Sequence, residues 1–223
     1  MMKKVLLKNP YYTFSRSKMA ELLPENYNRV LEVGCGVGGF ANNLEPDCEK
    51  WGVEMYAPMA KEAEQKFDHV LTGTYREVEG QLPDNYFDLV VCNDVIEHMP
   101  DTEAFLIDIQ KKMIHDGYLT GSIPNVRYYR NAINFLLLRD WKYTESGILD
   151  RTHQRFYTEK SLKRAFIDAE WDIDLFYGIG NEFYSGYRSL STYIFRSLPL
   201  IVLMLLGQFD MRFHQYGFRL IRK

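Results

Sequence analysis

Arg29-Val30-Leu31-Glu32-Val33-Gly34-Cys35-Gly36-Val37-Gly38-Gly39-Phe40 is the stretch whose reading decides the fold. A strand-like apolar run, Val30, Leu31 and Val33, breaks abruptly into glycines, and a helix is expected from Phe40. The pattern is therefore strand, tight turn, helix N-terminus. Glycines suit such a turn because they accept positive φ and let a ligand approach the backbone closely. Gly34-Cys35-Gly36-Val37-Gly38-Gly39 also fits G-x-G-x-x-G, a match that by itself leaves the ligand open.

Glu32 separates the candidates. A dinucleotide places its pyrophosphate over the glycine turn, where a carboxylate two residues upstream would face an anion. S-adenosylmethionine carries a sulfonium and an α-ammonium and no phosphate, so the same carboxylate attracts it. Downstream, Trp51-Gly52-Val53-Glu54 reads as a second strand ending in an acid. Glu54 lies 54 − 34 = 20 residues past the first glycine, where a carboxylate can accept ribose hydroxyls of either ligand.

Four segments now stand in order: Leu31 to Gly38, Gly52-Val53-Glu54, Tyr86 to His98 (YFDLVVCNDVIEH), and Asp116-Gly117-Tyr118-Leu119. Together, over about ninety residues, they resemble the motifs of class I S-adenosylmethionine-dependent methyltransferases. Ser122-Ile123-Pro124-Asn125-Val126-Arg127 and the run from Leu149 to Thr158 resemble a bacterial subgroup of that family associated with surface-polysaccharide biosynthesis. The resemblance implies S-adenosylmethionine as cofactor, S-adenosylhomocysteine as product, and a cofactor set of Glu32, Gly34, Cys35, Gly36, Gly38, Glu54, Met55, Thr74, Tyr75, Asn93 and Asp94. Related enzymes often carry an aspartate after the third strand for the adenine amino group. Here that place reads Thr72-Gly73-Thr74-Tyr75, which leaves Thr74 or a backbone carbonyl.

The totals narrow the setting. At 223 residues the chain suits one domain, and such a length buries roughly 70% of its unfolded surface without disulfides or metal. Its net charge of −3 leaves no footprint for nucleic acid or an anionic membrane. Cys35, Cys48 and Cys92 form no CxxC pair, and Val5-Leu6-Leu7 is too short for a signal peptide, so a reducing cytoplasm is expected and no metal is. No repeat, linker or low-complexity tract interrupts the chain.

Along the chain, an N-terminal cover helix is expected over residues 10–23. The resemblance implies that its Tyr11 and Tyr12 face the acceptor, Tyr12 at the reacting centre; packing against the sheet is the alternative reading. Phe87 to Cys92 is a nearly continuous apolar run, as in a parallel strand buried on both faces. Asn93 and Asp94 follow at its carboxyl end, where open α/β sheets bind ligands. His98 comes just beyond and is a candidate general base, with a helix-end packing role as the alternative. Phe105, Leu106, Ile109 and Met113 form the stripe of the next helix, His115-Asp116-Gly117 ends it, and Tyr118 to Ile123 reads as the fifth strand.

Residues 124–157 form an insertion whose six basic side chains, Arg127, Arg130, Arg139, Lys142, Arg151 and Arg155, outnumber Asp140, Glu145 and Asp150. Arginine binds phosphate or carboxylate in bidentate fashion, so Asn125, Arg127 and Arg151 are candidates for an anionic substrate and His153 is a second candidate base. Internal ion pairs are the alternative. A further insertion spans about 181–210. Its run Leu198 to Leu206 is about half a bilayer span and reads as a buried helix, a lid or a homodimer contact, with membrane association disfavoured.

The expected architecture is a three-layer Rossmann-like α/β sandwich with a seven-strand, mainly parallel sheet and an antiparallel last strand. The expected activity is O-methylation of a small, anionic metabolite or sugar intermediate in capsule or other surface-polysaccharide biosynthesis. N-methylation of a small amine such as phosphoethanolamine is the rival, since aromatics can hold a growing cation. A non-catalytic cofactor-binding scaffold is the rival from another class.

Overall fold

A computed structural model describes residues 17–180 and 190–223 of the chain. The expectations placed on Tyr11, Tyr12 and residues 10–16, and on 181–189, lie outside the described residues. Among the described residues there are seven strands: β1 (Arg29–Val33), β2 (Glu49–Glu54), β3 (His69–Thr72), β4 (Phe87–Asn93), β5 (Met113–Pro124), β6 (Trp171–Ile179) and β7 (Gln215–Arg222). They form one sheet in the order β3-β2-β1-β4-β5-β7-β6. Strand β1 pairs in parallel with both β2 and β4, whereas β7 runs antiparallel to β5 and to β6. This is the Rossmann-like sheet expected from the sequence, and its order reverses between β1 and β4.

Side-chain alternation builds the layers. Leu31, Val33, Val90 and Cys92 enter one buried cluster, while Val30, Leu89 and Val91 enter another, as the period of two on a pleated strand requires. Helices cover both faces: α1 (Ser17–Ala20), α2 (Ala57–Ala63), α3 (Tyr75–Val78), α4 (Thr102–Lys112), α5 (Tyr129–Leu136), α6 (Glu159–Asp168) and α7 (Leu190–Leu205). In α4, Phe105, Leu106 and Ile109 are buried and the Asp101 carboxylate caps the Ala104 N–H at 3.0 Å. Asp88, a partly buried polar residue of β4, accepts the N–H groups of Asn28 and Arg29 at 3.0 and 2.7 Å and so anchors the start of β1.

Three local expectations change. The helix expected from Phe40 is a single 3₁₀ turn, Phe40–Asn43. Asn42 and Asn43 are weak helix formers and Pro46 pushes Glu45 toward extended backbone, so the turn has no room to propagate. Helix α4 stops at Lys112, because Met113 already pairs with Phe87 ahead of an irregular stretch of β5, where Asp116 sits at φ 61°. Of the apolar run Leu198 to Leu206, Leu200 is buried whereas Leu198, Val202, Leu205 and Leu206 are exposed. Leu200 packs against Tyr128, Tyr129 and Met211, with Ile133 and Ile148 alongside. No helix among the described residues is long and apolar enough to cross a membrane.

Candidate functional site

The carboxyl ends of β1 and β4 flank the reversal of strand order, the place where open α/β sheets leave a crevice. The glycine turn there is tied to β2. Gly34 and Cys35 donate their N–H groups to the Val53 carbonyl at 2.8 and 3.1 Å, and Gly38 donates to the Cys35 carbonyl at 2.9 Å. Glu54 completes the tie: its Oε2 accepts the Gly36 N–H at 2.9 Å and its Oε1 accepts the Tyr56 N–H at 2.8 Å.

Three glycines of this turn have positive φ, each for its own reason. A Cβ on Gly34 (φ +74°) would meet Val95 Cγ2 at 2.5 Å, and one on Gly38 (φ +73°) would press on Lys66 and Phe67 at 3.0 and 3.1 Å. A Cβ on Gly36 (φ +56°) would meet nothing within 4 Å. Gly34 and Gly38 are thus required by packing, and Gly36 borders open space that a ligand can enter.

Around this cradle, Glu32 is buried on β1 between Gly52 of β2 and Val91 of β4. Burial, and after it the charges of Glu32 and Glu54, push the Cys35 thiol far up, so Cys35 stays neutral and contributes packing and backbone. Met55, one residue past the end of β2, is 71% exposed, an uncovered apolar side chain beside the ribose-type acid. Asn93 is buried, and its Nδ2 has no hydrogen-bond partner among the described residues. Asp94 stands in the left-handed region at φ 54°, with Oδ1 accepting from Ser122 Oγ and Gln215 Nε2, both at 2.7 Å. A strained residue at a strand end, held by two other strands, is characteristic of a ligand site.

Thr74 and Tyr75 are placed differently. The Thr74 N–H and hydroxyl both donate to Glu77 at 2.8 Å, capping α3 and holding the Glu77 carboxyl below its usual range. Tyr75 is buried edge-on against Phe105 at 5.0 Å, in the core beneath α4. Both are accounted for by local structure.

Beyond Asp94 a 3₁₀ turn, Ile96–His98, carries Glu97 and His98 to the insertion. The Gln154 and Arg155 N–H groups donate to the Glu97 carbonyl at 2.8 and 3.1 Å, and Gln154 Nε2 donates to the His98 carbonyl at 3.0 Å. These bonds bring His98 and His153 together, with ring centroids 4.7 Å apart and planes at 74°. His98 Nδ1 lies 3.3 Å from the Thr152 carbonyl oxygen and 3.2 Å from Thr152 Oγ1; His153 Nδ1 lies 3.0 Å from the Ile148 carbonyl oxygen. Burial, and then the neighbouring His153, lower the His98 pKa, which favours a neutral imidazole near neutral pH.

The other insertion candidates serve the scaffold. Asn125 is fully buried; its Nδ2 donates to the carbonyls of Asp210 and Phe213, both at 2.9 Å, and its Oδ1 accepts the Arg127 N–H at 2.9 Å. It therefore cannot reach a substrate without being pulled out of the fold. Arg127 directs Nε to Asp210 at 2.6 Å and Nη2 to Gln208 at 2.5 Å. Arg151 is exposed and pairs with Glu145 at 2.5 Å. A hollow of about 340 Å³ in the insertion is lined by Arg130, Asn131, Asn134, Lys142 and Ile148, among others. The participant missing from the sequence reading is Glu97. It stands next to His98 in the chain, but its nearness to His153 exists only in three dimensions.

The family model described as "Methyltransferase domain" matches residues 10–175. The ubiquinone biosynthesis O-methyltransferase of Rickettsia akari is 30% identical over 119 residues, covering 47% of this chain and 46% of that protein. The malonyl-[acyl-carrier protein] O-methyltransferase of Bacillus cytotoxicus is 26% identical over 141 residues, 60% of this chain and 48% of that one. The chain thus spans about half the length of the curated relatives it matches. Among solved structures, a SAM dependent methyltransferase from Archaeoglobus fulgidus superposes with TM-score 0.67 at 21% identity, covering 98% of this chain and 99% of that one. That likeness speaks for the fold.

Proposed function

From the premise that this chain belongs to the methyltransferase domain family, we propose that it is an S-adenosylmethionine-dependent O-methyltransferase of a small, anionic acceptor. The observation that carries the reading is the glycine turn clamped by Glu54 around an open position at Gly36. The residues present fit the cofactor: Glu32 and Glu54 suit a cationic, phosphate-free ligand with a ribose, Met55 offers an apolar face, and the buried Asn93 Nδ2 needs an acceptor. When bound, the cofactor supplies an electrophilic methyl group on a sulfonium.

The chain's own work is to position the acceptor and manage its proton. Holding two reactants aligned can lower a barrier by roughly 7–11 kcal/mol. A hydroxyl acceptor must also lose its proton, and the Glu97–His98–His153 group stands just past the end of β4 to accept it. The printed names of the two O-methyltransferase relatives favour oxygen as the acceptor atom. The anionic class is supported by the hollow in which Arg130 and Lys142 outnumber Asp140 and which also meets Ile148, the residue whose carbonyl holds His153. A role in surface-polysaccharide biosynthesis rests on the two insertion segments quoted above.

Isothermal titration with S-adenosylmethionine and with NAD tests the first step. Binding of the former alone is expected, and binding of NAD alone would overturn the reading. Methyl transfer to a panel of hydroxylated sugar phosphates and hydroxy acids, compared with amines, then tests the acceptor; transfer to amines only would make this an N-methyltransferase.

A further inference from the structure

We propose that Glu97, His98 and His153 form a binding site for one divalent transition cation of the zinc class. Each offers one ligand atom, and the three atoms lie within 4.8 Å of one another. His153 Nε2 is already 3.9 Å from Glu97 Oε1. Two donors held at about 2.1 Å from one tetrahedral ion stand about 3.4 Å apart. Closing the widest pair therefore takes a contraction of no more than about 1.4 Å (4.8 − 3.4), within reach of small side-chain rotations.

Three independent features point the same way. The first is orientation. Each imidazole places Nδ1 against a backbone carbonyl, Thr152 for His98 and Ile148 for His153. A donor N–H at Nδ1 leaves the lone pair on Nε2, the arrangement that outer-shell carbonyls impose on metal-bound histidines. The second is preorganisation. Two segments more than fifty residues apart are fastened by the bonds of Gln154 and Arg155 to Glu97 and His98, so the site needs no folding on binding.

The third is the donor set and its burial. Glu97 is 1% and His153 is 9% exposed, so these two donors stand where the attraction of a cation is little screened by solvent. Two imidazoles and a carboxylate suit zinc and its neighbours better than magnesium or calcium. Three protein ligands leave a coordination position over, as in catalytic sites, and partly exposed His98 marks the open side. No metal was expected from the sequence, in which only Glu97 and His98 of the three are neighbours.

At that open position the cation would take an oxygen of the acceptor and make its hydroxyl easier to ionise, the proton leaving to water, since the three side chains that ligate the ion no longer serve as the base. This role rests on the methyltransferase reading; the binding of the ion does not. The test uses the untagged full chain, stripped with chelator and titrated with Co²⁺ alone, then Zn²⁺ alone, without cofactor or acceptor. One Co²⁺ per chain with a visible d–d band, displaced by Zn²⁺, is expected. E97Q and H153A should each weaken binding by at least about tenfold, while H115A, at an exposed histidine paired with Asp116, should not.

Absence of the band in the wild-type chain overturns the site, whatever the variants do, and so does an unchanged band in folded E97Q. Transfer assays with metal-loaded and stripped protein keep the two readings apart. Bound ion with no transfer to any acceptor removes the function and leaves the site. Transfer with no bound ion does the reverse.

Discussion

The Gly36 N–H and the Glu54 carboxylate are joined by a 2.9 Å hydrogen bond that spans from β1 to β2, with the second Glu54 oxygen on the Tyr56 N–H at 2.8 Å. One side chain thereby fixes the glycine turn and the start of the segment leading to α2. Each oxygen keeps a further lone pair for a ligand hydroxyl.

Glu54→Gln tests this bracket. An amide can present an acceptor to only one of the two backbone donors and must turn its NH₂ on the other. Losing a charge-assisted bond is worth about 1.5–3 kcal/mol, so the Kd for S-adenosylmethionine should rise about 10- to 150-fold. Titration calorimetry reads it, and an unchanged Kd would remove Glu54 from the site.

Gly34 and Gly36 should separate on substitution by alanine. At both, positive φ costs an L-residue about 1–2 kcal/mol. Gly34→Ala adds a 2.5 Å clash with Val95 and should lower the melting temperature clearly. Gly36→Ala meets nothing within 4 Å, so it should fold with a smaller loss and fail instead in cofactor binding. Thermal unfolding paired with calorimetry distinguishes them; equal losses of stability would contradict the open position at Gly36.

Asn125→Asp should destabilise rather than retune specificity. The carboxylate would face the carbonyls of Asp210 and Phe213 without a donor for either. Two lost bonds with unsatisfied buried groups amount to about 2–4 kcal/mol. Urea unfolding checks this, and a stable variant with altered acceptor preference would return Asn125 to the substrate site.

Asp108 carries a pH-dependent contact between α3 and α4. Its carboxylate meets Lys111 at 2.6 Å and Arg76 at 2.9 Å, and the Lys111 bond holds its pKa below the ordinary aspartate value. A depressed folded pKa gives stability that is present above the unfolded value, about 3.9, and is lost as pH falls through the folded one. Asp108→Asn should therefore be less stable than wild type at neutral pH and indistinguishable from it in strong acid. Urea midpoints at both ends measure the difference, which should also shrink with salt.

The sheet was legible because it is written locally. Val30 to Gly39 carries its own period and its own break, and Phe87 to Cys92 announces a strand buried on both faces. Glu54 was legible too, since its distance from the glycines is set by one strand-turn-strand repeat. The short turn at Phe40–Asn43 was less so, because the stop imposed by Asn42, Asn43 and Pro46 competes with a helix signal over only a few residues.

What the sequence by itself determined is therefore the succession of strands along the chain and the chemistry of the cradle, both consequences of residue spacing along single elements. Tertiary structure alone decided which polar residues were left for a ligand. Asn125 and Arg127 are taken up by Asp210, a partner more than eighty residues away that no local pattern reveals. The meeting of Glu97 and His98 with His153 is of the same kind: it depends on backbone bonds that fold the insertion back onto the end of β4. Spacing specifies what each element is, whereas the pairing of distant side chains follows from where the chain returns after the core has closed.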